Sequence, residues 1–243
     1  MATVSSTHPL SYRNRPPRIA CFNRANTPLG VDFAALIAAM QKFVDRHLAP
    51  VWGTPAKLVK SSGFQKGAWA MVFLDSQDDA SLEGYHDLTP EGLPMSKVFV
   101  RNILKQKDQV SVAASHELAE MLVDPAANLY STGPRPNRLY DYEVADPVEE
   151  LFFKVDGIAM TNFVYPTYFE NFHKRGSTRF DHMEALEMPF ALHLGGYQSY
   201  FSGGKERTQW GSKPKEVRFK QEDRRGHRSE LRHKPKRLVS RSM

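Results

Sequence analysis

One cysteine, Cys21, is all that the chain of 243 residues contains. That excludes an intrachain disulfide and any zinc cage built from thiolates, and it fits a reducing compartment. Long apolar runs are also missing: none approaches the roughly 20 residues that span a bilayer. The opening "MATVSSTHPLSYRNRPPR" lacks the apolar stretch that a cleaved secretory signal needs. No signal peptide and no membrane segment are therefore expected, and a cytoplasmic or virion-associated location follows. Acidic residues run short only at the C-terminal end. Residues 205–243 hold 14 Lys and Arg against 5 Asp and Glu, so the formal net charge of +6 belongs to this tail and residues 1–204 carry a net −3.

With 41% hydrophobic residues, the remainder suffices for one sizeable core. Three regions are expected: a loose polar arm over 1–17, one folded domain over 18–204, and a basic, mostly disordered tail over 205–243. Within the domain, 18–25 reads as a strand. Phe33, Leu36, Ile37, Met40, Val44 and Leu48 recur at helical spacing, and Pro50 with Gly53 should end that helix. Residues 56–62, 68–75 and 96–104 read as strands, the second apolar enough for the middle of a sheet. Residues 109–123 read as a second helix stopped by Pro125. Asp156-Gly157 suits the tight turn of a small hairpin. This order predicts an α+β fold, a mixed twisted sheet packed on two main helices, with an irregular C-terminal subregion.

A second histidine is absent where chemistry leads one to look for it. "SHELAEMLVDP", Ser115 to Pro125, begins as a zinc peptidase helix does, with His116 and Glu117, but Glu120 stands where HExxH has its second ligand. Residues i and i+4 share a helix face, so His116 and Glu120 can reach one ion. Glu117, rotated about 100°, can face the reacting water instead. A carboxylate is a competent zinc ligand at about 2.0–2.2 Å, although its charge leaves the ion a weaker acid and shifts preference toward Mn²⁺ or Ca²⁺. The segment "YDYEVADPVEE" offers Glu143 as third ligand, with Asp146 behind it, and Asp124 at i+8 can orient a neighbour or ligate in their place. The competing account is an ordinary helix with a solvated acidic face.

The order of helix, strands and active-site helix, with "APVWG", "GYHDLTPEGLP", "SHELAEMLVDP", "YEVADPVE", "VDGIAMTNFVYPTYF" and "LGGYQSY", resembles a family of zincin-like proteins of bacteria and phages. The likeness covers roughly residues 18–200. It implies a zincin-like fold, one divalent metal, zinc first, on His116, and general-base work by Glu117 in a peptidase acting on a peptide or protein substrate. Glu120 departs from the family motif, which bears on peptidase activity more than on metal binding. A catalytically inactive zincin-like module, structural or binding, in a phage particle or other assembly is the alternative.

Other features carry two readings each. His86, Tyr142 and Tyr165 are candidate substrate or oxyanion contacts, and His86 with Asp87 can also be a ligand pair. A plain turn shaped by Pro90 and Gly92 is the expected account of "GYHDLTPEGLP". "NFVYPTYFENF" can line a cleft, but core packing is expected of such an aromatic cluster. The paired glycines of "HLGGYQSYF" suit either a close backbone approach or a turn. The tail can neutralise the phosphates of a nucleic acid or another polyanion, and has few aromatics for stacking.

Overall fold

The computed structural model describes residues 15–76 and 83–222, without the side chains of 218–222. Most of the expected arm, residues 77–82 and the part of the expected tail beyond 222 lie outside these residues. The chain begins with strand β1 (Arg18–Asn23), whose alternation sends Ile19 and Cys21 to one face and Ala20 and Phe22 to the other. Helix α1 (Phe33–Phe43) starts where Asp32 accepts a hydrogen bond from the Ala35 amide at 2.8 Å. It buries Leu36, Ile37, Met40 and Phe43.

Pro50 does not end this helix, contrary to the sequence reading. A π-helical turn, Val44–Leu48, runs into α2 (Ala49–Trp52), and Gly53, with φ 68°, closes the helix in the left-handed region. The widened turn lies just before Pro50, which has no N–H to give the Arg46 carbonyl in an α-turn.

Strands β2 (Lys57–Lys60), β3 (Trp69–Leu74), β4 (Gly84–Leu88) and β5 (Pro94–Phe99) complete a five-stranded sheet of order β2-β1-β3-β5-β4. β3 is central, as its unbroken apolar run requires. All neighbours are parallel except β4, which pairs antiparallel with β5 at the edge. Two corrections follow. "GYHDL" is an edge strand, not only a turn, because each of its residues pairs with β5 and His86 is 3% exposed. The expected strand over 96–104 stops at Phe99, and α3 (Val100–Lys105) follows, burying Val100 and Ile103 at helical spacing.

α4 (Val110–Val123) packs with α1 beneath one face of the sheet, meeting Met71, Phe73 and Val98 in one core. Among the described residues the opposite face carries a small cluster of Phe22, Ala70, Val72 and Met95. The fold is therefore α+β with a mixed sheet. Two short strands, β6 (Tyr130–Thr132) and β7 (Leu139–Asp141), precede a 3-10 turn at Asp146–Val148. Then comes the expected hairpin, β8 (Phe152–Val155) and β9 (Ile158–Thr161), turning through Asp156 and Gly157 with φ of 51° and 81°. Phe163, Tyr168 and Phe169 are buried, so the aromatic segment belongs to the core.

The boundary read at 204/205 falls inside a hairpin. β10 (Tyr197–Ser202) pairs with β11 (Lys205–Trp210) across Gly203-Gly204, and α5 (Lys213–Glu222) follows. Together β11, β10, β7 and β6 form a four-stranded sheet. The basic composition concealed this because β11 is an edge strand with exposed Lys, Glu and Arg. Among the described residues no helix is long and apolar enough to cross a membrane.

One polar cluster inside this fold is acid-sensitive. His47 Nδ1 and His182 Nε2 lie 3.0 Å apart, and the Tyr165 hydroxyl is 3.1 Å from His182 Nδ1. Burial, then the charges of His47 and Arg179, push His182 down to about 4, and burial also lowers His47. Unfolding releases rings that titrate near about 6.5, so below that pH the unfolded chain binds more protons. Stability should therefore be unaffected by this pair above about 6.5 and fall as pH drops toward about 4. Partial exposure of the ring reduces the loss to on the order of 1–2 kcal/mol. Urea unfolding from pH 7.5 to pH 5 checks this, and His182→Asn should flatten the dependence.

Candidate metal centre

α4 is not a surface helix. Glu117, Glu120 and Asp124 are 8%, 3% and 1% exposed, which removes the account of a solvated acidic face. Ionised carboxylates are buried at high cost unless opposite charge or strong hydrogen bonds meet them. The helix is pinned on two sides. Ser96 Oγ on β5 donates to the Glu117 carbonyl at 3.3 Å, and Ser115 Oγ accepts the Thr161 amide of β9 at 2.8 Å.

His116 Nε2 lies 3.1 Å from Asp146 Oδ1 and 3.3 Å from Glu120 Oε1. Ligand atoms held at about 2.0–2.1 Å around a tetrahedral ion are about 3.3 Å apart, so these three side chains fit a zinc-sized cation. Burial lowers the His116 pKa, but the charges and hydrogen bonds of Glu120 and Asp146 outweigh it and hold the ring well above its ordinary value. Burial, then the charge of Glu120, pushes the Asp146 carboxyl up. A cation taking this position must displace that proton, and its affinity should weaken as pH falls.

A second group meets the same helix from the other side. His86, Glu120 and Glu143 offer ligand atoms that all lie within 4.8 Å of one another, and all three residues are buried. The structure thus exchanges two expected roles: Asp146 stands beside His116, while Glu143 faces His86. The residues are three apart at the entry to the 3-10 turn, and which one points to which histidine is set by that turn and not by sequence distance. The Asp124 carboxylate caps the turn after α4, accepting from the Asn128 and Leu129 amides at 3.0 and 2.9 Å, while its backbone carbonyl is 3.1 Å from His86 Nε2.

No family model, curated protein or solved structure matches this chain. The site's chemistry therefore rests on its own geometry.

A cleft of about 380 Å³ opens onto His116 and Glu117, with Gly84 of the edge strand on one wall and Thr161 and Tyr197 among the others. Gly84 has a local reason to be glycine. A Cβ there would come within 2.8 Å of Glu117 Cγ and Oε1, so its absence lets the carboxylate lie against β4. Glu117 Oε2 is buried with no hydrogen-bond donor among the described residues. Tyr142 and Tyr165 do not line this cleft. Tyr142 stacks on Phe169 with ring centroids 4.1 Å apart, and Tyr165 bonds His182.

Two residues that sequence reasoning missed do line it. Tyr197 hydrogen-bonds Asp146; burial and then the charges of Asp146, Glu149 and Glu120 hold its phenol well above the ordinary value, so it stays a donor. Lys215 of α5 pairs with Glu149 at 2.6 Å and is 4% exposed, which brings a residue of the expected tail to the cleft. The paired glycines beside Tyr197 were the available signal. Gly196 packs directly on the Asp146–Val148 turn, a close backbone approach.

Proposed function

We propose that this protein is a metal-dependent hydrolase of zincin-like architecture, with a peptide or protein as the preferred substrate class. The observation that carries the reading is the convergence of His116 Nε2, Glu120 Oε1 and Asp146 Oδ1 within 3.3 Å of the histidine, beside a cleft that also exposes Glu117. His116, Glu120 and Asp146 would hold the ion. When bound, a divalent cation supplies Lewis acidity that polarises a substrate carbonyl and acidifies water.

The chain's own residues do the rest. Glu117, on the same helix but rotated toward the cleft wall, accepts the proton of the attacking water and returns it to the leaving amine. Tyr197 keeps Asp146 oriented by donating its one hydroxyl hydrogen to that carboxylate. Gly84, at the start of the edge strand β4, lines the cleft, and the outer backbone edge of that strand suits an extended peptide. Zinc fits a set of one imidazole and two carboxylates, and two carboxylates also accept Mn²⁺.

Cleavage of a peptide library by the purified chain should disappear on treatment with EDTA and return when Zn²⁺ or Mn²⁺ is restored. Cleavage that survives metal removal contradicts the reading. Absence of cleavage under every loading, with metal bound, favours the inactive structural module instead.

A further inference from the structure

We propose a second cation site behind the first, formed by His86, Glu120 and Glu143, with Glu120 bridging two divalent ions; this rests on reading His116, Glu120 and Asp146 as a metal site. Glu120 presents its two oxygens to two different histidines. Oε1 is 3.3 Å from His116 Nε2, and Oε2 is 3.9 Å from His86 Nδ1. A carboxylate placed so is shaped as a bridge between ions of the kind found about 3.5–4 Å apart in two-metal sites.

His86 decides the matter through its tautomer. Its Nε2 lies 3.1 Å from the Asp124 carbonyl, which can only accept, so Nε2 carries the hydrogen. In the neutral ring Nδ1 then holds a lone pair, and this atom faces Glu117 Oε2 at 3.8 Å and Glu120 Oε2 at 3.9 Å. A lone pair set against two carboxylates is repelled by both. A proton on Nδ1 would turn that repulsion into an ion pair but would make no hydrogen bond, because both distances exceed hydrogen-bond range. A cation with bonds of about 2.0–2.2 Å holds tetrahedral ligand atoms about 3.3 Å apart and opposed ones up to about 4.2 Å, and the gaps of 3.8 and 3.9 Å lie between these limits. Donation of the second ring N–H to a backbone carbonyl is also the usual outer contact of a ligating histidine.

Glu117 supplies an independent observation. Its side chain is nine-tenths buried, its Oε2 has no hydrogen-bond donor among the described residues, and the same oxygen is the one that faces His86. The ligands are also fixed by the fold: His86 by the β4–β5 pairing, Glu120 by α4, and Glu143 by the chain between β7 and the 3-10 turn. His86, Glu120 and Glu143 are each 3% exposed. Closed sites of this kind hold an ion structurally and leave no position for substrate. The second ion thus serves the first. It shares the negative charge of Glu120, restoring Lewis acidity that a carboxylate in place of a histidine removes, and it fixes the carboxylate that orients the catalytic cation.

The test is Mn²⁺ binding to the full chain, stripped with EDTA, read by calorimetric stoichiometry and by low-temperature electron paramagnetic resonance. The wild type should bind two equivalents and show a spin-coupled signal. His86→Asn and the near-isosteric Glu143→Gln should each bind one equivalent and show only isolated ions. One equivalent in the wild type, unchanged in both variants and abolished by His116→Ala, overturns the second site and leaves the first intact. No binding in the wild type overturns both, and one equivalent lost in His86→Asn but untouched by His116→Ala overturns the first site and the bridged pair.

Discussion

Replacing Glu117 by Gln should lower hydrolysis by about 10²–10⁴-fold, the range expected for loss of a general base, while leaving in place the ion held by His116, Glu120 and Asp146. The amide keeps the size of the side chain and its place beside Gly84, where a Cβ would lie within 2.8 Å of Glu117 Oε1. It cannot take a proton from water. Glu117 sits one residue beyond His116, about 100° around α4, so it reaches the cleft without entering the set formed by His116, Glu120 and Asp146. Steady-state cleavage of a sensitive peptide, with metal analysis of the same sample, separates the two effects. Equal turnover by both forms excludes Glu117 as the base, and loss of metal together with activity would assign it to the ligand set.

Gly196→Ala should cost about 3 kcal/mol or more and disturb the metal centre as well. The added Cβ would lie 2.5 Å from the Pro147 carbonyl carbon and 3.0 Å from the Asp146 carbonyl oxygen. Both are backbone atoms, so no side chain can swing aside, and overpacking of this kind typically costs 1–3 kcal/mol even where rotamers can adjust. The contact is part of a mesh. The His193 amide donates to the Pro147 carbonyl at 2.9 Å, and the Gly211 amide donates to the Gly196 carbonyl at 2.8 Å. This mesh presses the β10–β11 hairpin onto the turn that carries Asp146. Urea unfolding gives the stability loss, and weaker Zn²⁺ binding in the folded variant reports the displaced Asp146. A variant with wild-type stability and affinity contradicts the packing argument.

The legible parts of this molecule in its sequence were those set by local geometry. The i,i+4 relation of His116 and Glu120 follows from helical pitch, and the hairpin at Asp156-Gly157 from the positive φ that such a turn demands. Both helices followed from apolar spacing. What escaped is decided at a distance. Gly84 to Leu88 carries Gly, His and Asp and leads into Pro90, so it looks like a turn, yet pairing with β5 makes it a strand and buries His86. The exchange of Glu143 and Asp146 depends on the direction of a short 3-10 turn, and no periodicity encodes that. Lys215 is one basic residue in a basic tail until α5 sets it against Glu149. Tyr197 was hidden in the same way, because the glycines beside it signal close approach without saying to what.

Elemental analysis of the full chain, purified without added metal and dialysed, bears most directly on the central claim that the buried histidine–carboxylate cluster on α4 is a metal centre. Stoichiometric zinc or manganese in the wild type, falling in His116→Ala while the circular dichroism spectrum is retained, is the predicted result. No stoichiometric divalent metal in the wild type, or the same content in folded His116→Ala, would contradict it.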